Sequence, residues 1–320
     1  MFRKNDVLCI GSATVDHFIT TEQPLASLRL GDKVLIKSKE MHSGGGATNS
    51  AAALSKLGLK VKMLTKLGHD HDAEFIKKEM APYRVRNICL HKSRKNTDSS
   101  IIISSIKEKD RIIYVQKGAS LDLRINDFKK SNLNTKWIYL ASLMDKSFKT
   151  AKGIVEYAQK NKIKILFNPS LYLAKKGKNY LKKVLNNTEI LVLNKEEAQA
   201  LLNTKSDFKT LLLELQKLGP KTIVITNGTK RFYALDNEHI YSLVPPKVER
   251  VNTAGAGDAF TSGLLAGIIK GWSIEDSLCL GQANSSSLIQ SVGTKSGLLT
   301  EAAAKRLIKK LKIKVLQHPT

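Results

Sequence analysis

The sequence predicts an α/β protein with a mostly parallel central sheet that is covered by helices on both faces. Short apolar runs alternate with segments of helical periodicity, as expected for buried parallel strands joined by helical crossovers. The clearest runs are V-L-C-I from Val7, W-I-Y-L from Trp137, I-K-I-L-F from Ile163, I-L-V-L from Ile190 and T-I-V-I from Thr222. With 320 residues, 42% of them hydrophobic, the chain can bury a large core. Length alone would permit one large domain or two smaller ones, and the regular alternation of strands and helices favours one main domain over residues 1–320.

Two regions interrupt this alternation. Residues 14–42 and 90–119 are predicted to form strands and hairpins without intervening helices, for example in S-S-I-I-I-S-S-I-K-E-K-D-R-I-I-Y-V. Strands that project from an α/β core form either an ordinary antiparallel extension or a lid that closes over a site. The sequence pattern alone leaves both interpretations open.

A glycine-rich turn near the N-terminus leads into an alanine-rich helix. Residues 43–58 read S-G-G-G-A-T-N-S-A-A-A-L-S-K-L-G, and the helix is predicted to end at Gly58. The glycines allow the backbone to approach a ligand closely. Asn49, one turn into the helix, offers a donor and an acceptor suited to sugar hydroxyls. The alternative is an asparagine that only stabilises the first helical turn.

A second glycine-rich turn, N-T-A-G-A-G-D-A-F at 252–260, leads into a helix of small and apolar residues. Free N–H groups and the helix dipole make such a turn an anion cradle. A carboxylate at Asp258 would repel a resting phosphate, but it suits a neutral hydroxyl that loses its proton while the amides hold a transferring phosphoryl group. This favours a kinase acting on a small alcohol. The alternative is a simple turn with an acidic capping residue.

Better-known phosphate motifs do not fit. The chain contains no G-x-x-x-x-G-K-[ST] sequence, and Asn49 and Phe260 stand where G-x-G-x-x-G needs its third glycine. Three further segments complete the pattern: G-S-A-T-V-D at 11–16, V-L-N-K-E-E-A at 192–198 and I-T-N-G-T at 225–229. Together with the two glycine-rich turns, in this order and at these separations, they resemble the ribokinase-like (PfkB) carbohydrate kinase family over essentially the whole chain.

The resemblance implies a fold, a reaction and a set of site residues. The fold would be a ribokinase-like three-layer sandwich with a small β-strand lid formed by residues 14–42 and 90–119. Asp258 would be the general base, and the anion hole would consist of the backbone N–H groups of Ala254, Gly255, Ala256 and Gly257. The acceptor would be held by Asp16, in a short segment at the end of the first strand, together with Gly45 and Asn49. The nucleotide would contact Asn194, Thr226, Gly228 and Asn284, and Glu197 would bind Mg²⁺ through water.

Position 252 departs from the family pattern, since most relatives have Asp where this chain has Asn252. In the family that Asp helps to bind a monovalent cation beside the anion cradle. Asparagine keeps a carbonyl oxygen but loses the negative charge. We therefore treat Asn252 as a weakened cation ligand and expect little dependence on K⁺.

The predicted activity is ATP-dependent transfer of the γ-phosphate to a hydroxymethyl group of a small sugar, with Mg²⁺. A nucleoside is the alternative acceptor within the same enzyme class. A third hypothesis is a non-catalytic sugar- or nucleic-acid-binding protein. An intact base beside an anion cradle argues against it, because a pure binding protein needs no base.

Composition adds expectations about partners and location. The formal net charge is +25 and lysines crowd residues 160–188, but aromatic residues make up only 6% of the chain and no nucleic-acid-binding motif is present. We expect no specific nucleic acid and no membrane as partner, and the resemblance leaves room for a homodimer formed through the lid. The chain has three cysteines, Cys9, Cys89 and Cys279, and their spacing is not that of metal ligands. We expect them to be buried thiols, which favours a cytoplasmic protein.

Overall fold

The computed structural model describes residues 5–89, 93–108 and 110–317, and at 87–89 it describes the backbone only. The strands are β1 (Asn5–Ile10), β2 (Thr14–Thr21), β3 (Ile36–Gly44), β4 (Val61–Leu64), β5 (Arg86–Cys89), β6 (Asp98–Ser105), β7 (Asp110–Gln116), β8 (Thr135–Ala141), β9 (Lys164–Asn168), β10 (Ile190–Asn194), β11 (Thr222–Thr226), β12 (Phe232–Leu235), β13 (His239–Leu243) and β14 (Lys314–Gln317). The α-helices are α1 (Gly46–Lys56), α2 (His71–Met80), α3 (Asp145–Lys160), α4 (Leu171–Ala174), α5 (Gly177–Leu185), α6 (Lys195–Leu202), α7 (Phe208–Gln216), α8 (Ala256–Ile269), α9 (Ile274–Leu288) and α10 (Glu301–Ile308).

Ten of these strands form one sheet in the order β14-β13-β12-β11-β10-β9-β8-β1-β4-β5. All pairs from β11 to β5 are parallel, and β12, β13 and β14 add antiparallel pairs at one edge. Each of the five apolar runs singled out in the sequence contributes to a strand of the parallel part. The predicted mostly parallel sheet is therefore confirmed, and the antiparallel edge is an addition to it.

Helices cover both faces of this sheet. Along β1, Val7 and Cys9 belong to a core formed with α1, α2, α8, α9 and α10, whereas Leu8 and Ile10 face a second core formed with α3 to α7. Because successive strand side chains point to opposite faces, a strand buried on both sides is apolar at every position. This explains the uninterrupted apolar runs and gives the predicted three layers.

The remaining strands form a small sheet in the order β3-β2-β6-β7. Its strands come from the two predicted lid regions, although β3 continues to Gly44 and β2 pairs with β6 in parallel. The other two pairs, β2 with β3 and β6 with β7, are antiparallel. Residues 90–92 and 109 of the predicted lid regions lie outside the described part of the chain.

Helices α8 and α9 pack with their backbones in near contact. A Cβ atom added at Gly263 would lie 2.7 Å from the Cα of Gly281 and 2.8 Å from the backbone oxygen of Leu280. Helix α8 also packs against α1. Glycine therefore allows α8 to pack closely against α9.

Cys9 and Cys279 are buried free thiols, as expected, whereas the side chain of Cys89 lies outside the described residues. Among the helices that the structure describes, none combines the length and apolar character needed to cross a membrane.

Candidate active site

Each glycine-rich turn ends in a glycine that caps its helix with a positive φ. Gly45 precedes α1 with φ 95°, and Gly255 precedes α8 with φ 75°. An added Cβ at Gly45 would lie 2.5 Å from the backbone oxygen of Ser12, and one at Gly255 would lie 3.1 Å from the Cβ of Thr294. Both the backbone conformation and the lack of space require glycine.

The two helices place Asp258 and Asn49 in contact, although the residues are 209 positions apart in sequence. Asn49 Nδ2 donates to Asp258 Oδ2 at 2.8 Å, and the hydroxyl group of Tyr139, in β8, lies 3.4 Å from Asp258 Oδ1. Burial raises the pKa of Asp258 above its usual value, while these two donors and the charge of Lys295 oppose the shift. The carboxylate is thus oriented by hydrogen bonds on both oxygens.

The anion cradle differs in detail from the predicted set of four amides. The N–H of Ala254 donates to Asn252 Oδ1 at 2.7 Å, and the N–H of Ala256 donates to the backbone oxygen of Thr253 at 3.3 Å. Gly257 and Asp258 are the second and third residues of α8, where N–H groups have no acceptor within the helix. The N–H groups at the helix start therefore suit an anion better than that of Ala254.

Asp16 lies in the small sheet, as the third residue of β2, whereas the sequence suggested a segment at the end of β1. Ser100 Oγ, on the neighbouring strand β6, donates to Asp16 Oδ1 at 2.6 Å. A Cβ atom at Gly44 would overlap this carboxylate, so the glycine leaves room for it. Burial raises the pKa of Asp16, while Ser100 and nearby lysines lower it.

Asn194 and Glu197 form a reciprocal capping box at the start of α6. Asn194 Oδ1 accepts from the N–H of Glu197, and Glu197 Oε2 accepts from the N–H of Asn194, both at 2.8 Å. Burial raises the pKa of Glu197 to about 7, and the nearby charge of Asp258 acts in the same direction. The described residues contain no cluster of three His, Cys, Asp or Glu side chains that could hold a metal by itself.

A cavity of about 380 Å³ opens beside these groups. Its lining includes seven of the predicted site residues: Asn194, Glu197, Thr226, Gly255, Ala256, Gly257 and Asp258. Gly228 lies in the turn after β11, with φ 58°. The side chain of Asn284 is fully buried, and it joins the backbone oxygen of Ala259 to the N–H of Leu299. This position does not support the predicted nucleotide contact, because both ends of the amide are engaged inside the protein.

Sequence reasoning missed several polar groups of the site. One of them is Lys295, which is 7% exposed and donates to Asn49 Oδ1 at 3.2 Å. Arg111, on strand β7, donates from Nη1 to Thr253 Oγ1 at 2.6 Å and so connects the small sheet to the second glycine-rich turn. The only sequence signals for Lys295 and Tyr139 were a lone lysine in V-G-T-K-S-G and a lone tyrosine in the apolar run W-I-Y-L.

Known proteins share this architecture. The chain is 26% identical over 329 residues to the 5-dehydro-2-deoxygluconokinase of Clostridium beijerinckii, covering 97% of this chain and 94% of that protein. It is 25% identical over 303 residues to a nucleoside kinase of Methanocaldococcus jannaschii, covering 92% and 93% of the two chains. The structure of Arabidopsis thaliana ribokinase complexed with ribose and ATP superimposes with a TM-score of 0.80 at 19% identity, covering 96% and 99%.

The family model for pfkB carbohydrate kinases matches residues 4–301, which is nearly the whole chain. The chain therefore belongs to the pfkB family of carbohydrate kinases, phosphotransferases that use ATP to phosphorylate an alcohol group of a sugar-like substrate.

Proposed function

We propose that this protein transfers the γ-phosphate of ATP to a hydroxymethyl group of a small free sugar. The observation that carries the proposal is the contact between Asp258 and Asn49, which joins a carboxylate at the start of α8 to the start of α1. A group that is only a helix cap would not need an oriented, buried carboxylate beside a cavity. A base beside an anion cradle is the arrangement that phosphoryl transfer to a hydroxyl requires.

Asp258 would accept the proton of the sugar hydroxyl as its oxygen attacks the γ-phosphorus in line with the leaving group. Burial raises the pKa of this carboxyl, which brings its basicity closer to that of a working base at neutral pH. The N–H groups at the start of α8 would hold the charge on the transferring phosphoryl group, together with the helix dipole. Positioning and charge stabilisation are the main demands of this reaction.

The nucleotide phosphates would lie along the cavity between the second glycine-rich turn and α6. Glu197 lines this cavity and has one carboxylate oxygen outside the capping box, so its chemistry fits a water-mediated contact to Mg²⁺ beside Asn194. When bound, Mg²⁺ would neutralise charge on the phosphates. Thr226 would contact the nucleotide from the end of β11, with Gly228 in the turn that follows.

The acceptor would be held by Asp16 and Asn49, with Gly45 allowing the backbone to come close. Asp16 belongs to β2, so a movement of the small sheet would also move this acceptor-binding carboxylate. One of the two similar proteins is a 5-dehydro-2-deoxygluconokinase, and the other is a nucleoside kinase. A nucleoside therefore remains the second candidate acceptor.

A coupled assay of ADP release with Mg-ATP tests this proposal across pentoses, hexoses, sugar phosphates and nucleosides. We expect ADP release that depends on a free sugar, with the phosphate on a hydroxymethyl oxygen in the product. Asp258→Asn is the matched negative control, because it keeps the shape of the site without the base. Turnover with nucleosides alone would select the second candidate. No acceptor-dependent release from any compound would contradict the kinase proposal.

We also propose that residues 1–320 form one kinase domain in which the small sheet is the lid, and that two copies associate through this lid. Strand β7 is exposed along its whole length at an edge of the small sheet, and it carries consecutive apolar side chains from Ile112 to Val115. Exposed apolar edge strands are prone to pair with another chain. Sedimentation equilibrium should report a dimer, and a monomer at all concentrations would contradict this association.

Monovalent cations such as K⁺ should activate the unaltered protein only weakly. Asn252 lacks the negative charge of the family aspartate, and its Oδ1 already accepts from the N–H of Ala254 at 2.7 Å. We expect K⁺ to stimulate kcat little relative to choline at equal ionic strength. Asn252→Asp should increase the response if the other oxygen ligands of the cation are present. Strong activation of the unaltered protein by K⁺ would show that backbone carbonyls suffice.

A further inference from the structure

The buried ammonium group of Lys295 lies at the centre of a set of polar contacts next to Asp258, the proposed base. Lys295 follows α9 in the loop V-G-T-K-S-G and is 7% exposed. Its Nζ donates to Asn49 Oδ1 at 3.2 Å, to Thr294 Oγ1 at 3.0 Å and to the backbone oxygen of Ser43. Three acceptors match the three donors of an ammonium group, so the lysine is fixed in place.

These contacts connect parts of the chain that carry the proposed reaction. Ser43 precedes the glycines of the first turn, Asn49 lies in α1, and Thr294 packs against Gly255 of the second turn. The oxygen of the Asn49 amide faces Lys295, and the nitrogen of the same amide donates to Asp258 at 2.8 Å. If the amide turned over, its oxygen would face the carboxylate and its nitrogen would face the ammonium group, which is unfavourable on both sides.

We propose that Lys295 is a positioning residue for phosphoryl transfer: through Asn49 it orients the Asp258 carboxylate, and its positive charge keeps that carboxylate ionised. The proposal rests on the proposed kinase function and deepens it. Lys295 does not reach the substrate in this account, because its donors are occupied by the protein. Its effect on the reaction is exerted through the amide of Asn49 and through its charge.

Electrostatics support this assignment. Burial disfavours an ionised Asp258, and Lys295 is a nearby positive charge that acts in the opposite direction. Burial lowers the pKa of Lys295 to about 8, while Glu79, Asp16 and Asp258 oppose that shift. Loss of the ammonium charge above this pH would weaken the support for Asp258. We therefore expect an alkaline decline of kcat that begins near pH 8.

Other titratable groups surround the same contacts. Glu79 accepts from the N–H of Ser43 at 2.5 Å and pairs with His42, whose pKa it raises. The remaining groups face either Asp16 or Asp258: Lys117 and His17 on the side of Asp16, and Tyr139, Cys9 and Glu197 on the side of Asp258. Because several of these groups can contribute to a pH profile, the test must change Lys295 itself.

The experiment measures kcat, KM and the pH profile of Lys295→Met, Lys295→Arg and the unaltered protein. Loss of positioning at a reacting centre can reduce turnover on the order of 10²-fold, so we expect a decrease of that size in the kcat of Lys295→Met, with KM for ATP nearly unchanged. The acid limb of this variant should move to higher pH, because Asp258 has lost its positive neighbour. Lys295→Arg keeps the charge at all accessible pH values, so it should restore much of kcat and remove the alkaline decline.

Lys62→Met is the matched control. Lys62 is also buried, at 5% exposed, and it donates to the backbone oxygens of Asn132 and Asn134 at 3.2 and 3.3 Å. It lies in β4 and makes none of the site contacts described above. We expect this variant to lose thermal stability while its kcat and pH profile stay as in the unaltered protein. A merely structural lysine at 295 would behave in the same way.

The results separate the two proposals. An unaltered protein without acceptor-dependent turnover contradicts the kinase function, whereas an active one whose Lys295→Met variant keeps the same kcat and pH profile contradicts the role of Lys295. If Lys295→Met does not fold, the role of Lys295 is tested by two measurements: the alkaline decline of kcat in the unaltered enzyme, and the loss of this decline in Lys295→Arg. A decline that persists in Lys295→Arg, or its absence in the unaltered enzyme, overturns the proposal.

Discussion

Replacing Asp258 by Asn should lower kcat by about 10²- to 10⁴-fold, the range that general-base catalysis contributes. The amide has nearly the shape of the carboxylate but cannot accept the proton of the attacking hydroxyl. Asparagine serves at helix N-termini about as well as aspartate, so α8 should keep its first turn. Steady-state kinetics with the preferred acceptor and a thermal unfolding curve measure both effects.

Nucleotide affinity distinguishes this loss from a general disruption of the site. The phosphates would be held by backbone N–H groups and Mg²⁺, so the Kd for ATP of the Asp258→Asn variant should barely change and would tighten slightly with the nearby negative charge removed. A folded variant that binds ATP and sugar yet hardly turns over supports the assignment of the base. Near-normal turnover would mean that Asp258 has only a structural role.

The pH dependence of the unaltered enzyme should follow the ionisation of the same carboxyl. Only the ionised form can accept a proton, so kcat/KM falls as the pH decreases through the pKa of Asp258. Burial raises that pKa, and the acid limb is therefore expected above the range of an ordinary aspartate. Asp258→Asn should remove this limb from whatever turnover remains. A limb that stays at the same pH in the variant would have to come from another group.

The sequence predicted the parallel sheet well because strands buried on both faces must be apolar at every position. Strands β12, β13 and β14 escaped prediction, since they are short and lie at the antiparallel edge, where that requirement is weaker. The location of Asp16 was also missed. Only three residues, Gly11 to Ala13, separate β1 from β2, and the chain passes from the large sheet to the small sheet at these residues.

Site residues could be predicted from the sequence where they belong to a local motif. The two glycine-rich turns place Asp258 and Asn49 through local backbone conformation, and both residues were identified from the sequence. The contacts of Lys295 with Asn49 and of Tyr139 with Asp258 join residues 246 and 119 positions apart. Their positions depend on how the sheet and helices pack, and a single sequence carries no local signal for such a pair.

The same substitution at two helical glycines should change stability in opposite directions. Gly153 lies in the interior of α3, where an added Cβ would meet only Ile125 Cδ1 at 3.8 Å. Alanine loses less conformational entropy than glycine in a helix, so Gly153→Ala should raise the free energy of unfolding by roughly 0.5–1 kcal/mol. Urea or thermal unfolding of the purified variant measures the change.

Gly263→Ala should instead lower the free energy of unfolding by up to about 3 kcal/mol, despite the same gain in helix propensity. Its Cβ would lie 2.7 Å from the Cα of Gly281, and backbone atoms of α9 cannot move aside as a flexible side chain can. Helices α8 and α9 would have to separate, which would move the start of α8 relative to Asn49, so kcat should fall as well. An equally stable Gly263→Ala variant would show that the two helices can shift without cost. The close α8–α9 packing would then have no part in holding Asp258 in place.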